Sequence, residues 1–257
     1  MERVNYPQND FPPGIEHETG HRPWPLPSAP WLMTQSWHDL LFAHWPLAAA
    51  VLSQHVPREF EVDVFDGQAW IGVVPFQMTN VAPRGVPAMP WVSQFPELNV
   101  RTYVRAGGKP GVFFFSLDAA NPVAVEAARA LLRLPYHWAT MLVERDGDEI
   151  HYRSRRGDAA SAPQFVASFR PSGPPVTPAP GTLEHFLTER YCLYARDLLG
   201  RPYRLQIHHR PWRLQSAVAT IERNTMVSAA GLTLPDRPPL LHFSKRQDTL
   251  TWGPERL

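Results

Sequence analysis

The sequence predicts an α+β chain that is mainly antiparallel β, closed as a barrel or cone with a few peripheral helices. Three observations lead there. Short runs of strand composition recur along the chain and are joined by Asp-Gly and Gly-Gly turns. Only two or three segments carry helix start and stop signals. The chain has 257 residues, 44% of them hydrophobic, which is enough to close one barrel around an interior that can hold a ligand.

The first thirty residues carry seven prolines, from Pro7 to Pro30. Proline fixes φ and removes a backbone donor, so residues 1–30 are expected as an extended arm that does not join a sheet or helix for long. The arm would lie on the domain or on a neighbouring subunit, and residues 31–257 would form one domain. Thr34 to His44 reads as a strand, followed by a helix with Pro46 at its first position and Leu47 to Ser53 as its body. Glu61–Phe65 and Ala69–Phe76 flank Asp66-Gly67, a hairpin signal. Leu98–Val104 and Val112–Leu117 flank a Gly-rich turn. Asn121 caps a helix that opens with Pro122 and runs to about Leu134. Strands follow at 139–144 and 149–154, joined by Asp146-Gly147. Pro171 to Pro180 reads as a loop, and Thr182 caps a helix to about Tyr191. The last strands are expected at 203–208, 214–222, 240–244 and 249–252.

Composition excludes several function classes. No apolar run is long enough to span a bilayer, and the amino-terminal residues lack a secretory pattern. A single cysteine, Cys192, rules out an internal disulfide framework and fits a reducing compartment, read as the cytoplasm. Net charge is +1, with both signs spread along the chain, which argues against nucleic acid as a partner. Lysine occurs only at Lys109 and Lys245, and the other basic residues are arginine, which does not form a Schiff base at neutral pH.

Phosphate-loop, dinucleotide and serine-hydrolase motifs are absent. No metal-ligand spacing appears either, and His208 and His209, being adjacent on a strand, face opposite ways. Neither a metal nor an organic cofactor is expected. What remains distinctive is the run Glu97-Leu98-Asn99-Val100-Arg101-Thr102-Tyr103-Val104. Strand alternation puts Glu97, Asn99, Arg101 and Tyr103 on one face and the apolar residues on the other. That polar face is either solvated or lines a cavity, with Arg101 neutralising Glu97 in the second case. A second segment, Leu134-Pro135-Tyr136-His137-Trp138, leaves the Pro122 helix in a fixed direction.

Together these two segments resemble the core of acetoacetate decarboxylase: a strand glutamate, a Gly-containing hairpin, a helix, then a proline followed by two lysines. Glu97 corresponds to the family's active-site glutamate and Pro135 to its proline, and Tyr136 follows Glu97 by 39 residues. Tyr136 and His137 then stand where the family carries its lysines, and neither residue forms the imine that decarboxylation needs. The whole chain, from about Trp31 to Trp252, resembles the YqjF-like branch of that superfamily. The stretches that carry this are Leu40 to Pro46, Glu97 to Val104, Gly111 to Asp118, Phe186 to Tyr191, His209 to Trp212 and Pro239 to Ser244. The resemblance implies the acetoacetate decarboxylase-like barrel and a site in its interior.

Two functions are compatible with these residues. One is a lyase- or hydratase-type enzyme on small oxo or carboxylic acids, with Glu97, Tyr136 and His137 as the catalytic candidates. Arg101, Tyr103, Ser116, Arg190 and His209 are the substrate-binding candidates. The other is a non-catalytic small-ligand-binding or interaction protein, with aromatic pocket walls or the arm as its working surface. The expected partner is a small-molecule ligand, and the arm offers a means to form a homo-oligomer.

Overall fold

The computed structural model describes residues 2–4, 6–89 and 91–257. Its strands are β1 (Glu2–Arg3), β2 (Met33–Leu47), β3 (Glu61–Val62), β4 (Ala69–Pro83), β5 (Phe95–Ala106), β6 (Lys109–Ala119), β7 (Tyr136–Trp138), β8 (Thr140–Asp146), β9 (Glu149–Arg155), β10 (Gln164–Val176), β11 (Cys192–Arg196), β12 (Pro202–His209), β13 (Leu214–Asn224) and β14 (Leu240–Arg256). Among the described residues there are also four helices, α1 (Ala49–Ser53), α2 (Pro122–Leu132), α3 (Leu183–Thr188) and α4 (Met226–Ala229), and a 3-10 turn at Ile15–His17.

Seven strands close on themselves in the order β14-β12-β11-β6-β5-β4-β2, because β2 returns to pair with β14. All neighbours in this ring are antiparallel except β6 and β11. At its Leu240 end β14 also pairs with β13, which starts a second layer, β13-β10-β9-β8-β1. That layer covers one face of the wall. Ile150, Tyr152, Phe165 and Phe169 pack there against Leu41, Val73, Leu98 and Val100, all buried. The opposite face of the same strands carries Leu40, Phe42, Val74 and Phe76 and points into the barrel, with Trp212, Leu214 and Val125 of α2.

Local chemistry accounts for the joints. Gly107 and Gly108 both have positive φ, 56° and 74°, which a two-residue turn between β5 and β6 requires. Asn121 accepts from the amides of Val123 and Ala124, and Pro122 occupies the first turn, so α2 starts where expected. It ends earlier, at Leu132, with Arg133 in the left-handed region at φ 50°.

Four expectations are corrected. Pro46 does not open a helix but extends β2 opposite Trp70, and the helix begins at Ala49. Its lost donor is tolerated near the strand's end. Pro171 lies in β10 opposite Ala217, with irregular pairing between Ser172 and Val176 marking the later prolines. The two carboxy-terminal strands are one strand of 17 residues, β14. Glu61–Val62 pairs with β5, although Asp66-Gly67 does form its turn. The arm runs over the barrel, with Ile15 buried against Leu250 and Trp252, and Arg22 bonded to the Ile207 carbonyl. Glu2–Arg3, ahead of the first proline, joins the second layer over two residues by pairing with β8.

Candidate functional site

Register places the interior side chains in rows across the wall. Leu240, His44, Gly72, Arg101 and Phe114 form one row. His242 and Phe42 pair in the next row, which on the other side holds Val74, Asn99 and Leu117. Ser244 and Leu40 pair in the third, with Phe76, Glu97 and Ala119. Glu97, Asn99, Arg101 and Tyr103 therefore share the face that looks into the barrel, which the sequence left open between cavity and solvent.

Glu97 is 3% exposed. Its backbone is fixed from the second layer, where Tyr152 donates to the Glu97 carbonyl at 2.7 Å. Its carboxyl accepts from the Tyr136 hydroxyl at 3.0 Å, with the Asn99 side chain as a second partner. Burial pushes Glu97 up to about 8 despite both hydrogen bonds, and Asp118 adds repulsion. The neutral acid is thus the prevailing form near neutrality. Burial and the neighbouring Glu97 also hold Tyr136 well above the usual phenol range, so its proton stays on oxygen.

Arg101 does not neutralise Glu97. Its Nη2 donates to the Tyr103 hydroxyl and to the Leu187 carbonyl, each at 3.2 Å. The guanidinium lies between two rings, 5.3 Å from the Phe42 centre and 5.6 Å from that of Tyr103, and its Nε has no partner. Among the described residues no carboxylate pairs with it. Arg101 keeps partial solvent access, as do Phe114, Phe186 and Leu240 around it, so this end of the barrel, beside α3, is its mouth.

His44 faces Arg101 across Gly72. A side chain at position 72 would meet the imidazole at 2.9 Å, so only glycine lets the ring lie there. His44 Nε2 is 2.6 Å from the Tyr103 hydroxyl, and Nδ1 has no partner. Burial, reinforced by Arg101, drives its pKa well below the ordinary histidine value, so the ring is neutral. This residue was not picked out from sequence. Its signal was a histidine in step with Leu40 and Phe42 on an apolar strand face.

Other candidates are not brought to Glu97. His137 pairs with Asp118 while Tyr136 pairs with Leu117, so alternation sends His137 to the opposite face, where it is exposed. Ser116 pairs with Val100 and points away from the barrel interior. Arg190 is buried and committed to Asp63 at 2.6 Å and to the Phe186 carbonyl at 2.6 Å. Asp63 also binds Arg105, so Arg190 is an internal ion pair and no free receptor for a substrate acid. His209 is clamped between the Arg210 carbonyl, at 2.7 Å, and a stacked Tyr191 ring. Neither lysine approaches Glu97: Lys245 binds Asp39, and Lys109 lies 5.2 Å from the Trp24 ring centre at the β5–β6 turn. Among the described residues no group of histidine, cysteine and carboxylate side chains could hold a metal ion. No helix among them is long and apolar enough to cross a membrane.

Comparison with known proteins agrees with this architecture. The YqjF protein of Bacillus subtilis (strain 168), itself uncharacterised, is 47% identical over 227 residues, covering 88% of this chain and 93% of that one. Acetoacetate decarboxylase from Legionella pneumophila superposes with a TM-score of 0.62 at 12% identity, covering 98% of each chain. The enduracididine biosynthesis enzyme MppR, solved in complex with pyruvate, superposes with a TM-score of 0.60 at 11% identity, over 100% of this chain and 98% of that one. The family model for DUF2071, described as an uncharacterised conserved protein, matches residues 34–248, from β2 into β14. The chain therefore belongs to the DUF2071 family and carries the acetoacetate decarboxylase-like fold.

Proposed function

We propose that the protein binds a small oxo or carboxylic acid inside the barrel and carries out lyase- or hydratase-type proton transfer on it, without a Schiff base. One observation carries this reading: a buried glutamic acid with a pKa near 8 shares an interior face with an arginine that has no carboxylate partner. Arg101 would take the substrate carboxylate at the mouth. Glu97 lies two rows deeper than Arg101 on β5, roughly 13 Å along the strand, so the carbons of a short acid held by the arginine side chain lie between the two. A group with a pKa near the working pH can both accept and return a proton. Glu97 as carboxylate removes the proton beside the substrate carbonyl, leaving an enolate. The enolate then expels the β-hydroxyl, which takes the proton back from Glu97 and leaves as water; addition of water runs the same steps in reverse. Tyr136 holds the carboxyl in place. MppR, with its bound pyruvate, supports an oxo acid as the ligand class. The buried free thiol of Cys192 supports a reducing, cytoplasmic setting.

Deuterium exchange into pyruvate and 2-oxobutanoate, followed by NMR, tests this directly. Wild type is expected to exchange the hydrogens beside the carbonyl. Glu97→Gln should lose that exchange by about 100-fold while retaining binding, and Arg101→Ala should lose at least about 10-fold in affinity. Binding without exchange would make the protein a non-catalytic binder. No binding of any acid would remove the interior site as the working surface.

A further inference from the structure

The β14 side of the barrel carries polar groups that the proton-transfer reading does not use. Ser244 is fully buried, and its hydroxyl has no partner. His242, 9% exposed, has no partner on Nδ1, and its Nε2 lies 3.8 Å from a Glu184 oxygen of α3. Both residues face inward, because Ser244 pairs with Leu40 and His242 with Phe42. Across the ring, β5 presents Asn99, whose Oδ1 also lacks a partner, and Glu97. Between the two polar walls, β2 and β4 supply an apolar floor of Leu40, Phe42, Val74 and Phe76.

Resting on the reading above, we propose that this second wall recognises a neutral hydroxyl at the far end of the acid, so that the ligand is a four- or five-carbon acid with a terminal hydroxyl. The length follows from the rows: Ser244 lies two rows deeper than Arg101, roughly 13 Å along the strands, and the long arginine side chain spans part of that distance, which leaves room for four or five carbons. The chemistry follows from what each alternative leaves behind. A plain hydrocarbon end would cover Ser244 and His242 without bonding them, and buried polar groups left unmade are costly. A second carboxylate would lie near Glu184 and opposite Glu97, and the β14 cations next to Ser244 are engaged elsewhere, Lys245 with Asp39 and Arg246 with Asp10 and Asp248. A hydroxyl can donate to His242 and accept from Ser244.

Isothermal titration calorimetry with butanoate, 4-hydroxybutanoate and succinate, and with the five-carbon set pentanoate, 5-hydroxypentanoate and glutarate, tests the inference. At one of the two lengths the hydroxy acid should bind about 10-fold more tightly than the plain acid and the diacid. Ser244→Ala should abolish that preference. The same variant should melt no lower than wild type, since its hydroxyl bonds nothing in the free protein; His242→Leu serves as a second test of the same wall. Equal binding of plain and hydroxy acids, or a preference that survives Ser244→Ala and His242→Leu, overturns this inference alone. Failure of all six acids to bind overturns the interior acid site, and this inference with it.

Discussion

Glu97 links the chemistry of the site to the stability of the fold. In the unfolded chain it titrates as an ordinary carboxylate, whereas burial raises it to about 8 in the folded protein. The folded state then binds the extra proton between those two values, so stability falls as pH rises through that window. The sign is that of a raised pKa: the contribution is complete below the ordinary carboxylate range and is lost above about 8. Glu97→Gln keeps the neutral shape and removes the titration. We expect its melting temperature to match wild type near pH 5 and to exceed it by roughly 5 °C near pH 9. A difference that stays constant with pH would show that Glu97 ionises normally in the fold. Arg190 and Asp63 illustrate the limit of reading single residues: the arginine is a substrate-binding candidate in sequence, but the fold pairs its charge internally.

At the scale of elements, the arm and the row of residues around Gly72 matter most. The proline-rich arm is pinned at several points. Ile15 is fully buried, Trp24 donates to Gln206 at 2.8 Å, and Tyr6 and Arg145 both bind Asp39. Arm residues Glu2, Val4, Tyr6 and Pro7 also wall a surface cleft of about 790 Å³ with His38, Arg145 and Lys245, outside the barrel. Burying one isoleucine is worth about 2 kcal/mol, and the buried arm anchors add to it. Deleting residues 1–30 should therefore lower the melting temperature by about 5 °C or more, measured by circular dichroism. An unchanged melting temperature would mean that the arm is dispensable to the fold and free to serve as a docking element.

For the whole molecule, β14 is the strand on which both layers depend. It closes the barrel against β2, continues it into β12, and starts the second layer through β13. Tyr152 of that layer bonds the Glu97 backbone, so the layers also share the candidate site. Loss of the β14 pairings would open both layers. Unfolding is expected as one cooperative transition, with near- and far-ultraviolet circular dichroism coinciding. Two separated transitions would show that barrel and second layer unfold independently.

The sequence by itself determined the strand-rich class, most hairpins, the α2 start and the alternation that puts Glu97, Asn99, Arg101 and Tyr103 on one face. These are local properties, set by turn residues, caps and a two-residue period. Family spacing also singled out Tyr136 as a candidate, and the structure made it the hydrogen-bond partner of Glu97. Only the tertiary structure decided that this face looks inward, because alternation is the same for a solvated wall and a cavity wall. It alone sent His137 and Ser116 to the other face, since each orientation depends on pairing with β6 or β5. It alone brought His44, His242 and Ser244 to the same interior, because barrel closure joins strands that are distant in the chain, and sequence does not show which ends meet.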